Sequence, residues 1–227
     1  MTSPAPSPPK PSGTPLRIGV LLFPGFQALD AFGPLDCLNV LSRTQPLTLS
    51  ILSHDLSPVT TKTPSSPSSI AQSILPTHTF TNAPPLDVLL VPGGLGTRLL
   101  DSEPITASIA FIRSVYPTLQ YLITVCTGSG LAARAGVLDG RLATTNKRAF
   151  GELRAWGPDV EWVAKARWVV DGNVWTSSGV SAGIDVALAW IAHVYGEESA
   201  RGVANGMEYR RVTDADDDPF AELYGLE

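Results

Sequence analysis

The sequence predicts an α/β protein, a doubly wound sandwich whose central sheet is mainly parallel. Three observations carry this expectation. Short, near-continuous apolar runs such as LRIGVLLF, LDVLLV and YLITV recur along the chain, as strands buried on both faces require. Segments with helical apolar spacing stand between them. One β-hairpin pattern arrives late, around an Asp-Gly pair, and otherwise the alternation of strand and helix is kept.

The composition fits that frame. At 227 residues with 44% hydrophobic side chains, the chain can bury a core without disulfides or metals. A net charge of −5 argues against nucleic acid or an anionic membrane as partner. Two cysteines make no disulfide framework and no zinc-spaced cluster, so the sequence calls for no metal and no cofactor and suits a reducing, cytoplasmic setting. The first 15 residues, MTSPAPSPPKPSGTP, lack the apolar segment of a secretory signal. They read as a disordered lead-in to one domain over 16–227. No apolar run reaches membrane-spanning length.

Taken in order, Leu16 to Phe23 is a first strand, broken by Pro24-Gly25. Gln27 to Leu41 is a helix with Asp30 in its first turn, where an acid suits the helix dipole and also lies at a strand's carboxyl end. Gly33-Pro34 suggests an irregular start or kink there, and Cys37 reads as a buried, inert thiol. Leu47 to Ser53 is a second strand. Ser57 to Pro85 is crowded with Pro, Ser and Thr, so it reads as a flap or an insertion. Ile70 to Leu75 and Phe80 are its expected tethers, and His54 and His78 read as solvated.

Leu86 to Val91 is a third strand, followed by PGGLGTR. Adjacent Gly93 and Gly94 let backbone approach a ligand closely, and the N–H of Gly94 is a candidate donor to developing charge. Pro104 to Tyr116 is a helix with proline in its first turn. Tyr121 to Gly130, YLITVCTGSG, is the most telling stretch. A β-branched strand stops at Cys126 and small residues open a helix, the cysteine counterpart of a nucleophile elbow. Free N–H groups at that helix start would favour the thiolate of Cys126.

Beyond the elbow, Gly136 is the expected C-cap. Arg141 to Thr145 reads as a short strand, and Asn146-Lys147-Arg148 either lines the site or opens a solvated helix over Phe150 to Trp156. Val160 to Val163 reads as a strand, and Trp168 to Trp175 as the hairpin. In TSSGVSAGIDVALAWIAHVY, Ser181 is the expected N-cap and Asp185 falls near the first turn. His193 lies far along that helix. Glu197 to Tyr209 is a last helix, and the acidic tail with Asp214 and Asp216 to Asp218 is expected on the surface.

Four motifs in this order, PGFQALDAFGPLD, VLLVPGG, TVCTGSGLAARAGVLDGRLATTN and TSSGVSAGIDVAL, resemble the ThiJ/PfpI superfamily, and within it the isocyanide hydratase branch. The resemblance covers about Leu16 to Tyr209. It implies a flavodoxin-like three-layer sandwich, a homodimer, and catalysis by Cys126 with Asp30 as acid and with Thr127 and Asp185 orienting the pair or relaying a proton. Gly25, Gly93, Gly94 and Asn146 would contact substrate. Other branches carry a glutamate in place of Asp30 and often a histidine after the cysteine. Relatives of this branch often have a histidine where this chain has Asn146.

The implied reaction is hydration of an isocyanide, a small-molecule substrate, to an N-substituted formamide through a thioimidate on Cys126. Alternatives are glyoxalase or deglycase chemistry, a non-catalytic redox sensor, a specialised natural-product enzyme, and a ligand-binding regulatory domain. The last ranks lowest because the chain ends soon after Tyr209.

Overall fold

The computed structural model describes residues 13–63 and 70–226. The expected lead-in falls almost wholly outside the described residues. Seven strands form the main sheet: β1 (Arg17–Leu21), β2 (Thr48–Ser53), β5 (His78–Thr79), β6 (Val88–Val91), β7 (Tyr121–Val125), β10 (Trp168–Asp171) and β11 (Val174–Ser177). Their spatial order is β10-β11-β7-β6-β1-β2-β5, with every pairing parallel except β10 with β11. Two small pairings stand apart, β3 (Val59–Thr60) with β4 (Ser73–Ile74) and β8 (Leu142–Ala143) with β9 (Glu161–Trp162).

All residues of β6, β7 and β11 are buried, which requires helices on both faces. One group is α1 (Ala28–Leu41), α5 (Ala182–Tyr195) and α6 (Glu197–Gly206), packed on one another. The other is α2 (Glu103–Val115), α3 (Gly128–Arg134) and α4 (Phe150–Trp156), with α3 against β7. The expected three-layer α/β sandwich is present. No helix among the described residues is long and apolar enough to cross a membrane.

Several local expectations are corrected. The helix α1 runs through Gly33-Pro34 without interruption. The hairpin loop is Gly172-Asn173, because Asp171 pairs with Val174 across the strands. Gly172 takes φ +59°, and a glycine at the first loop position suits a two-residue turn. Ser181 starts α5 without a side-chain cap. In the Pro-rich segment, Ile70 is 91% exposed and tethers nothing. The anchors are the β3–β4 pairing, the edge strand β5 and Phe80, stacked 4.7 Å from Phe111.

The acidic tail is the largest departure. Asp218 is buried, caps the short helix α7 (Pro219–Leu223) through Phe220 N–H, and lies 3.1 Å from Lys147 Nζ. Both side chains are essentially unexposed, at 1% and 0%. Lys147 also donates to Thr144 Oγ1 at 2.6 Å. A buried cation needs a counter-charge more than it needs water, so the tail folds back to supply one beside the loop that carries Asn146.

Removing one partner of such a pair strands the other charge and typically costs about 3–5 kcal/mol. Asp218→Asn is therefore expected to lower Tm by roughly 10 °C, using about 2–4 °C per kcal/mol for a chain of this size. Replacing both partners, Lys147→Met with Asp218→Leu, is expected to restore much of the loss. An unchanged melting curve for Asp218→Asn would contradict the buried pairing.

Candidate active site

Parallel strands deliver their carboxyl ends to one edge, and β6, β7 and β11 bring Gly93, Cys126 and Ser178 together there. Cys126 follows β7 with φ +58°, a left-handed backbone that an L side chain adopts at a cost. The reversal is held from both sides. The Cys126 N–H donates to the carbonyls of Ser178 at 3.0 Å and Ser177 at 3.3 Å. Its own carbonyl accepts from the hydroxyls of Ser129 and Thr145, each at 3.0 Å. The sharp turn aims the sulfur off the sheet edge, as the strand-stop-helix pattern predicts.

Three donors face the sulfur. Asn146 Nδ2 lies 3.2 Å from Sγ, and the backbone N–H groups of Thr127 and Val180 also hydrogen-bond it. Asn146 is fixed in turn, since its Oδ1 accepts from Ala149 N–H at 3.1 Å. A side chain at Gly179 would come within 2.7 Å of that amide nitrogen, so glycine there keeps room for it. Val180 is a site residue that sequence reasoning missed. Its contribution is a backbone N–H at φ +33°, and a valine side chain gives no sign of that.

Asp30 completes the group. It is fully buried, and its Oδ2 accepts from Gly93 N–H at 3.0 Å. The Cys126 thiol donates to the same carboxyl. The other oxygen, Oδ1, has no partner among the described residues. Burial pushes the Asp30 carboxyl up to about 7, against the lowering effect of Gly93 N–H and the thiol. Burial and the nearby Asp30 push the Cys126 thiol up to about 12, outweighing its three N–H donors. The expected resting thiolate is thus corrected. Two acids buried side by side disfavour a second negative charge, so the loss of one proton makes the other harder to remove.

The remaining expected residues divide. Thr127 sits beside the sulfur, and its Oγ1 accepts from Gly94 N–H at 2.9 Å and from Thr97 Oγ1 at 3.1 Å. The Gly94 N–H is therefore committed inside the protein and does not face substrate. Gly93 holds Asp30 and packs on the elbow, where a side chain would come within 2.5 Å of Thr127 N. Gly25, at φ +82°, donates its N–H to Thr60 O and lies outside the cavity lining. Asp185 is also corrected. It is bound by Arg167 (2.6 and 2.7 Å), the Tyr209 hydroxyl and Val212 N–H, and makes no contact with Cys126 or Asp30. Its reach to the site is through backbone, since Arg167 O accepts from Ser178 N–H.

A cavity of about 480 Å³ opens over the sulfur, lined by Gln27, Gly94, Arg98, Thr127, Asn146 and Arg148 among others. None of the three histidines lines it. A larger hollow of about 600 Å³ beside Phe150, Arg154 and Trp162 has neither nucleophile nor carboxylate in its lining, so the chemistry belongs to the smaller one.

The Asp30 environment sets a pH dependence of stability. Its carboxyl titrates near 7 in the fold and near 3.8 when unfolded, so the folded state keeps a proton that the unfolded chain releases. Stability from this group is full below about pH 4 and is lost as pH rises toward 7, by about 4 kcal/mol for about 3 pK units. Asp30→Asn is expected to be increasingly more stable than wild type across that window in urea titrations, with the gap constant above it. A gap that does not change between pH 4 and 7 would contradict the buried, proton-holding carboxyl.

The sequence pattern of the DJ-1/PfpI family matches residues 16–193. An isonitrile hydratase of Pseudomonas putida is 39% identical over 194 residues, covering 86% of this chain and 78% of the relative. The HTH-type transcriptional regulator GbdR of Pseudomonas aeruginosa is 30% identical over 221 residues, 96% of this chain but only 57% of the regulator. Among solved structures, a ThiJ/PfpI family protein from Pseudomonas syringae superposes with TM-score 0.71 at 27% identity, covering 92% of this chain and 78% of that one. With the family pattern spanning most of its length, and with its flavodoxin-like sandwich and cysteine elbow in place, the chain belongs to the DJ-1/PfpI family.

Proposed function

We propose that the protein hydrates an isocyanide to an N-substituted formamide, with Cys126 as nucleophile and Asp30 as the group that moves the proton. The observation that carries this reading is the buried Asp30 carboxyl beside Cys126, at a cavity that no histidine lines. The 39%-identical isonitrile hydratase supports the same reaction.

The terminal carbon of an isocyanide is attacked by sulfur and must also gain a proton. In the proposed cycle the Cys126 thiol gives its proton to the Asp30 carboxylate as Sγ bonds to that carbon. Asp30 then delivers the proton to the same carbon, giving the thioimidate R–N=CH–S–Cys126. Water adds to the carbon, the C–S bond breaks, and the formamide R–NH–CHO leaves with the thiol restored. The unpartnered Asp30 Oδ1 is suited to accept a hydrogen bond from that water. The N–H groups of Thr127 and Val180, with Asn146 Nδ2, stabilise sulfur as it loses its proton and again as it departs.

A second reading has one observation in its favour, the GbdR similarity over 96% of the chain. In it the same cavity binds a small ligand without turning it over.

Turnover separates the two. Wild type is expected to convert a simple alkyl isocyanide to its formamide and to leave methylglyoxal unchanged. Cys126→Ala is expected to lose at least ~10³-fold in kcat, and Asp30→Asn about 10²–10⁴-fold, both with native circular dichroism. Full turnover by Cys126→Ala would sink the nucleophile assignment, and conversion of methylglyoxal alone would sink the reaction.

A further inference from the structure

The lining of the cavity over Cys126 carries two guanidinium groups and no carboxylate, in a chain whose net charge is −5. The two arginines are not equivalent. Arg98 is already engaged, with Nε at 3.1 Å and Nη2 at 2.7 Å from Glu152 Oε2. Arg148 makes no hydrogen bond and no ion pair among the described residues. An exposed arginine by itself is ordinary on a protein surface. This one stands two residues from Asn146, whose amide touches the reacting sulfur.

The turn that carries it is also braced at both ends. Asn146 Oδ1 accepts from Ala149 N–H, and Lys147 is locked to Asp218 and Thr144 in the interior. The guanidinium root is thereby fixed relative to Cys126. Beneath the cavity floor the Asp30 carboxylate would repel an incoming anion, and an unneutralised guanidinium at the wall offsets that repulsion.

We propose that Arg148 is a substrate-binding residue, and that the preferred substrate is an isocyanide bearing a carboxylate. The guanidinium fork holds that carboxylate through two parallel N–H···O bonds while the isocyano carbon meets Cys126 Sγ. This rests on the hydration reading above. Leu95, Ala149 and Val180 give the wall an apolar part, while Gln27, Asn146, Thr127 and the two arginines give it a polar one, so the lining suits a substrate that carries a charged end.

The test uses isocyanoacetate and its uncharged ethyl ester as paired substrates. Wild type is expected to favour the acid by about tenfold or more in kcat/KM, the size of one charged hydrogen-bonded contact. Arg148→Gln is expected to erase that ratio and Arg148→Lys to restore part of it, with added salt lowering the wild-type ratio. Calorimetry with N-formylglycine, the hydration product, supplies a readout independent of turnover, with binding to wild type and loss in Arg148→Gln. Equal turnover of acid and ester, unchanged in Arg148→Gln, would overturn the carboxylate preference and leave hydration standing. Failure of both isocyanides would overturn hydration, while Arg148-dependent binding of N-formylglycine would still uphold the anion site.

Discussion

A cysteine held at φ +58° stands in a conformation that costs a non-glycine residue on the order of 1 kcal/mol or more. The surrounding backbone has to over-determine it for the turn to persist. The end of β11, the start of α3 and the loop after β8 accomplish that. The last carbonyls beyond β11 accept the Cys126 N–H, while hydroxyls from α3 and from the loop after β8 clamp its carbonyl. Parallel pairing of β6, β7 and β11 in fixed register brings these groups to one edge. The fold and the site are thus one construction, because loosening the sheet order would release the elbow.

The second consequence of that geometry is electrostatic. Burying sulfur beside a buried carboxyl raises both acids, Asp30 to about 7 and Cys126 to about 12. Backbone and amide N–H groups moderate the effect without reversing it. Thiol with carboxylate and thiolate with carboxylic acid are then two arrangements of the same single proton. A site that needs sulfur to lose a proton while a neighbouring carbon gains one can run on that internal transfer. Bulk solvent need not supply or remove the proton.

Much of this was legible in the residues. The β-branched run stopping at Cys126 marked the elbow, and Asp30 just after the first apolar strand marked its partner, because strand ends and helix starts leave strong local signals. Asn146 is legible only as one of two readings, and its amide 3.2 Å from Cys126 Sγ decides between them. What stayed hidden acts through the backbone or over long range. Val180 contributes an N–H that its side chain does not advertise, and Gly94 directs its own N–H to Thr127. The run of aspartates near the end reads as solvated because charge usually is, yet the burial of Lys147 draws Asp218 inside. Asp185 follows the same logic, since its partners Arg167 and Tyr209 lie on separate segments, whose meeting no local pattern foretells.

The coupling between the Asp30 carboxyl and the Cys126 thiol is measured most directly by the ultraviolet absorbance of the thiolate. The reading is the difference between wild type and Cys126→Ser, followed across pH. No Cys126 thiolate step is expected through neutral pH, with the signal appearing only toward the raised value of about 12, and an earlier step is expected in Asp30→Asn, where the neighbouring negative charge is gone. A thiolate step below pH 7 in wild type, unchanged by Asp30→Asn, would contradict that coupling.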